Sequence, residues 1–120
     1  MLKRILLIYN PNSGFFVDRA KREIKAYFQD LASRHGQVNI TPVELTRGQN
    51  RRIKTALADP DLDAAWVAGG DGTMTSVVRM AAGLAVPIGI LPCGTMNLLA
   101  RDLGMNLNVE TAVSQLINAD

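Results

Sequence analysis

The spacing of apolar positions changes several times along the 120 residues, and each change marks an element. Lys3 to Tyr9 is a nearly continuous apolar run, which predicts a buried strand closed by the turn-forming Asn10-Pro11-Asn12-Ser13-Gly14. Helical spacing follows. Ile24, Tyr27, Phe28 and Leu31 fall at i, i+3, i+4 and i+7, predicting a helix over residues 18–34 that Gly36 ends. His35, just before that glycine, reads as a cap suited to the helix dipole rather than as a catalyst. Val38 to Leu45 predicts a second strand, and Pro42 within it points to an edge position, because proline cannot donate to a ladder. Gln49 to Ala58 predicts a short helix burying Ile53 and Leu57, stopped by Asp59-Pro60.

Ala64 to Ala68 predicts a third strand that runs straight into Gly69-Gly70-Asp71-Gly72-Thr73. Met74, Val77, Val78 and Ala81 then mark a helical face. Ile88 to Leu91 predicts a fourth strand, followed by Pro92-Cys93-Gly94-Thr95 and a helix from about Met96 to Leu103. A last helix, Val109 to Asn118, carries Val109, Ala112, Val113, Leu116 and Ile117 on one face, with Asn108 placed as its N-cap. Strands alternating with helices imply right-handed crossovers and one parallel sheet covered on both faces. The expectation is a single three-layer α/β/α domain. Periodicity does not give the order of its strands.

In such a sheet a ligand lies outside the carboxyl ends of the strands. Three polar loops fall there: 10–14, 69–73 and 92–95. Each leads into a helix whose first amides and positive dipole end favour an anion. Gly69, Gly70, Gly72 and Gly94 let backbone approach a phosphate without a clashing Cβ, while Thr73 and Thr95 add hydroxyl donors. Asp71 does not fit a bare anion cradle, since a carboxylate repels phosphate. Its presence points to Mg²⁺, bound directly or through water, or to orientation of a nucleotide hydroxyl. Asn10, Ser13, Gly14 and Asn97 serve equally well as turn or cap residues. A GxxxxGK[ST] segment is absent, which excludes a P-loop NTPase, and without GxGxxG a dinucleotide dehydrogenase is disfavoured.

Composition narrows the setting. The single cysteine, Cys93, rules out an internal disulfide framework, and its place in a phosphate loop suits a small filler residue. No apolar run approaches the roughly 18 residues that span a bilayer. The apolar stretch after Lys3 and Arg4 is too short for a secretion signal, so the expected location is cytoplasmic. The net charge of +2 hides an asymmetry. Residues 1–58 carry eleven Lys or Arg against four acids, and residues 59–120 carry two against seven. The basic half, with Arg19, Lys21, Arg22, Lys25, Arg51, Arg52 and Lys54, suits anionic phosphates or the inner surface of an anionic membrane. Aromatics are not interleaved with these cations, so a nucleic-acid stacking platform is not expected.

Taken together, these segments resemble the diacylglycerol kinase catalytic family, in particular its bacterial lipid kinases. Asn10-Pro11-Asn12-Ser13-Gly14 is similar to the family's first loop, Gly69 to Thr73 to its GGDGT signature, and Leu91 to Asn97 to its LPxGTxN segment, with Ala100-Arg101 continuing it. NAD kinases and phosphofructokinases share GGDGT but not the other two segments. The resemblance implies a Rossmann-like nucleotide-binding domain that presents ATP, with Mg, for phosphoryl transfer to a lipid hydroxyl. It carries nucleotide contacts onto Gly69 through Thr75, which includes Met74 and Thr75, onto Thr95, and onto Thr46 after the second strand. Asn10 and Asn97 would shape the same site, and Asp71 is the candidate catalytic carboxylate. Ser76 stands where the family usually has glutamate. The family's second, β-rich domain, which completes the lipid cleft, is not matched within these residues, so the expectation is nucleotide binding with little or no lipid turnover. An exposed apolar face left by that domain would show as self-association into a homo-oligomer. Two competing expectations are a stand-alone nucleotide-sensing module and a kinase of NAD or a sugar phosphate.

Overall fold

The structure, a computed structural model, describes residues 2–12, 14–91 and 109–118. Four strands, β1 (Arg4–Tyr9), β2 (Asn39–Glu44), β3 (Ala64–Ala68) and β4 (Ile88–Leu91), form one parallel sheet in the order β2-β1-β3-β4. Helices α1 (Lys21–Ser33), α2 (Asn50–Leu57), α3 (Asp71–Met80) and α4 (Val109–Asn118) flank it. The strands read as apolar runs because both faces are covered. Alternation along β1 divides the core: Ile5, Leu7 and Tyr9 pack with α1 and α4, whereas Leu6 and Ile8 pack with α2 and α3. Trp66 at the centre of β3 is 1% exposed and joins the first layer. Burying a side chain of this kind contributes roughly 1.5–3 kcal/mol. The α/β three-layer expectation is met.

The edge position of β2 has a geometric basis. The Asn39 N–H donates to the Lys3 carbonyl and the Leu45 N–H to that of Tyr9, so odd-numbered amides face β1. Even-numbered amides point outward, and Pro42 occupies one of these positions, where no ladder donor is required. The outer edge is further covered by Gln29 of α1. Its Oε1 accepts the Ile40 N–H at 2.9 Å, and its Nε2 donates to the Val38 carbonyl and to Ser33 Oγ. One side-chain amide thus takes the place of a neighbouring strand's peptide and blunts the edge.

Two boundaries differ from expectation. Helix α1 begins at Lys21 rather than residue 18, because Asp18 adopts a left-handed backbone (φ 63°) that a helix cannot contain. Ala20 then starts the helix in extended conformation, and its N–H is accepted by Glu23 Oε1 at 3.2 Å. A 3₁₀ turn, Gly14–Phe16, precedes this segment and buries Phe16 against Tyr9, with ring centroids 4.8 Å apart. At the far end of α1 the His35 N–H donates to the Ala32 carbonyl and Gly36 (φ 143°) turns the chain away, as its sequence position predicts. The helix expected over Met96–Leu103 and the Asn108 cap lie outside the described residues.

Candidate functional site

Register aligns the loops. Tyr9 pairs with Glu44 on one side and with Ala68 on the other, and Ala68 pairs with Leu91. The segments after all four strands therefore start level along one edge of the sheet. The chain leaves β1 for β2 on one side and then crosses to β3 on the other, so the strand order reverses at β1. A crevice outside the carboxyl ends of β1 and β3 is the switch point at which such sheets bind ligands. The Asn10 loop and the Gly69-Gly70 loop flank it.

Each glycine of the second loop has a different job. Gly69 has φ 152°, and a Cβ there would meet Thr73 Oγ1 at 3.0 Å, so glycine alone lets the loop close over α3. Thr73 is 6% exposed, and its Oγ1 lies beneath the loop, 3.0 Å from where a Cβ of residue 69 would stand. Gly70 is the N-cap of α3 and supplies no side-chain cap. The Met74 N–H bonds back to the Gly70 carbonyl at 3.2 Å, so the helical ladder begins there and the amides of Gly72 and Thr73 precede it at the helix start. Among the described residues, a Cβ added at Gly70 or Gly72 would meet nothing within 4 Å, which leaves the loop surface open at these two positions. Asp71 is half-buried in the first turn of α3, and its carbonyl accepts Thr75 Oγ1 at 2.9 Å. The Met74 side chain lies in the core, 1% exposed, and supports the loop from below.

On the β2 side, Asn10 Oδ1 accepts the Asn12 N–H at 2.9 Å and tightens the first loop. Tyr9 is fully buried and its hydroxyl donates to Glu44 Oε1 at 3.2 Å. Burial, and then the adjacent carboxylate, push this phenol above its ordinary range, so it remains a donor. The bond ties the end of β1 to the end of β2. Thr46 lines a pocket of about 140 Å³ at the end of β2 with Lys21, Glu44, Gln49 and Arg52. The contributions of Tyr9, Glu44 and Gln49 were not foreseen, since Tyr9 reads in sequence only as the end of an apolar run, while Arg52 belongs to the basic half that suits anionic phosphates. Gly14 is exposed at the start of the 3₁₀ turn. Ser13, Gly94, Thr95 and Asn97 lie outside the described residues.

Donor amides, open space and a carboxylate at one helix start fit the phosphates of a nucleotide carrying its own Mg²⁺. Among the described residues no group of three or more His, Cys, Asp or Glu is placed to hold a metal without such a partner. Nor is any described helix long and apolar enough to cross a membrane.

The sequence profile of the diacylglycerol kinase catalytic domain matches residues 4–120. A diacylglycerol kinase of Mycobacterium tuberculosis is 33% identical over 118 residues, covering 95% of this chain and 36% of its own. A solved diacylglycerol kinase structure from Bacillus anthracis str. Sterne superposes with a TM-score of 0.70 at 21% identity, over 99% of this chain and 43% of that one. A second structure from the same organism gives 0.71 at 25% identity, over 99% and 40%. The chain thus spans well under half the length of these relatives.

Proposed function

The chain belongs to the diacylglycerol kinase catalytic domain family, and from that membership we propose that it is the part of a lipid kinase that binds ATP and presents its γ-phosphate to a diacylglycerol-like hydroxyl. The observation that carries this reading is the start of α3 at the switch point, where among the described residues nothing covers Gly70 and Gly72 beside the amides of Gly72 and Thr73. These amides hold the nucleotide's phosphates, and the Asn10 loop closes the other wall. Asp71 adds the charge that a bare anion site would not contain. When bound with the nucleotide, Mg²⁺ supplies neutralisation of phosphate charge, and Asp71 is the carboxylate available to it.

In the transfer, the lipid oxygen forms a bond to the γ-phosphorus while the bond to the bridging oxygen of ADP breaks. The hydroxyl proton must pass to a base. Since the relatives extend well beyond the matched length, lipid turnover is assigned to the longer assembly at the cytoplasmic membrane surface, and these residues alone bind nucleotide without sustained turnover. Thermal unfolding with and without Mg-ATP tests the reading. Ligand at about 100 times its Kd stabilises by roughly 2.7 kcal/mol, a rise of several degrees in Tm. Asp71→Ala is expected to shrink that rise. The absence of any shift at saturating Mg-ATP would overturn the nucleotide assignment, and sustained Asp71-dependent phosphorylation of diacylglycerol by this chain would overturn the division of labour.

A further inference from the structure

Cations of the first half of the chain that lie far apart in sequence meet at one corner of the fold. Helices α1 and α2 lie on opposite faces of the sheet, yet both start at the carboxyl end of β2. Lys21 of α1 and Arg52 of α2 line the same pocket there. Lys21, Arg22 and Lys25 on α1 and Arg51, Arg52 and Lys54 on α2 are all exposed. Arg19 and Arg47 add exposed cations on the loops just before these helices, while Lys54 lies in the last turn of α2. None of these eight forms an ion pair with a described carboxylate.

Of the four acids in the same stretch, Asp18 is exposed beside Val17 and Glu44 lines the shared pocket, and the bonds of the other acids and of Glu44 are local. Glu23 Oε1 accepts the Ala20 N–H, Asp30 pairs with Arg34 at 2.8 Å, and Glu44 accepts the Tyr9 hydroxyl. Beside the cations, Val17 exposes 46% of its surface in the left-handed turn before α1, while Arg19 stacks over Phe15 with 4.5 Å to the ring centroid. At the opposite, amino end of the sheet, Asp59, Asp61 and Asp63 gather around Arg4 and Lys3. Among the described residues, the acids of the amino end are thus matched by cations, whereas the corner at the loop edge holds cations in excess.

We propose that this basic corner, formed by the first turns of α1 and α2 around the end of β2 with Val17 at its margin, docks the domain on an anionic bilayer surface. Building on the lipid-kinase reading, it names the face that meets the membrane. Several unpaired cations on one surface, flanked by an exposed aliphatic side chain, match an anionic headgroup layer, which each basic residue approaches independently and additively. A nucleic acid would ask for open aromatic faces among the cations, but Phe15, beside Arg19, has its face covered by that guanidinium and packs on Phe16 and Phe28. Docking at this corner holds the open carboxyl edge, with Asp71 and the Asn10 loop, beside the membrane from which a lipid hydroxyl must come.

The test is co-sedimentation of the purified chain with vesicles of mixed phosphatidylglycerol and phosphatidylcholine, against phosphatidylcholine alone. Binding to the anionic vesicles that falls steeply as salt is raised is expected. The triple variant Arg22→Glu, Lys25→Glu, Arg51→Glu should lower partitioning on the order of 100-fold. Arg79→Glu, which removes an exposed cation on α3, should change it little. Circular dichroism and the Mg-ATP thermal shift, measured on the same samples, report folding and the nucleotide site separately, so docking can fail while that site stands, and the reverse. Should the triple variant not fold, the wild-type salt dependence and Lys25→Glu alone decide. Equal binding to neutral vesicles, equal losses at Arg79 and at the corner, or tighter retention of a DNA duplex than of anionic vesicles would each overturn the proposal.

Discussion

The two ends of the sheet use their polar groups in opposite ways. At the amino end they satisfy one another. Asp63 Oδ2 accepts the N–H groups of Lys3 and Arg4, both at 2.8 Å, and Arg4 reaches Asp59 at 3.4 Å and Asp61 at 3.7 Å. At the carboxyl end, the start of α3 has a glycine for its cap, and among the described residues nothing lies within 4 Å of a Cβ added at Gly70 or Gly72. Backbone donors that fold into internal partners contribute stability, whereas donors left at a helix start toward a crevice are available to a ligand. The same backbone chemistry thus builds a closed floor at one end and a receptive rim at the other. Each end should respond to substitution in its own currency, stability below and ligand response above.

Gly69 is where that division should fail most visibly, since it is structural although it stands in the rim. Gly69→Ala must accept φ 152° and a methyl 3.0 Å from Thr73 Oγ1. Backbone strain of this kind costs on the order of 1–3 kcal/mol, and the displaced loop should also lose the Mg-ATP shift. A variant as stable and as responsive as wild type in denaturant titration with and without nucleotide would contradict the assigned geometry.

The floor gives the next largest effect. Asp63→Ala removes the acceptor of two backbone amides and should lower stability by about 1–2 kcal/mol near neutral pH, leaving the nucleotide response intact. The hydrogen bonds from Arg4 and then Lys3 hold the Asp63 carboxyl below its ordinary range. Its contribution is therefore fully present above the unfolded value of about 3.9 and is lost as pH falls through the lower folded value. The gap between wild type and Asp63→Ala should narrow in acid. Urea midpoints measured from neutral to strongly acidic pH would show it, and a gap that widens in acid would reverse the sign assigned here.

Much of the fold, and the loop that carries the candidate site, were legible in the sequence, for identifiable reasons. Ala64–Ala68 and Ile88–Leu91 coincide with their apolar runs, because strands covered on both faces must be apolar throughout. Pro42 marked the edge because its missing N–H can be accommodated only on the outward side. Strand order was not legible, since periodicity records which face a residue takes and not which neighbour it meets. The Gln29 clamp, the Asp63 acceptor and the Tyr9–Glu44 bond join residues separated by at least nine positions, so no local pattern announces them. Within the site, the Gly-Gly-Asp-Gly-Thr spacing located the loop, but it did not distinguish Gly69 and Thr73, which pack against each other, from Gly70 and Gly72, which border space.

Gly72 gives the smallest effect on stability, with the opposite sign, and the sharpest contrast between the two ends. It lies within the first turn of α3, outside the left-handed region, and a Cβ there meets nothing within 4 Å. Alanine restricts the unfolded chain and favours helix, so Gly72→Ala should raise stability by roughly 0.5–1 kcal/mol, toward the lower figure at a helix start. If the open space beside the amide is where a phosphate oxygen approaches, the added methyl occupies part of it and weakens the ligand. Such a variant should melt higher than wild type without nucleotide and gain less when Mg-ATP is added, so that the two melting curves cross in order. A gain in stability with an undiminished nucleotide shift would place the phosphates away from Gly72 and move the site toward the Asn10 wall. A loss of stability would mean that glycine at this position serves the helix itself, and the rim would then be closed like the floor.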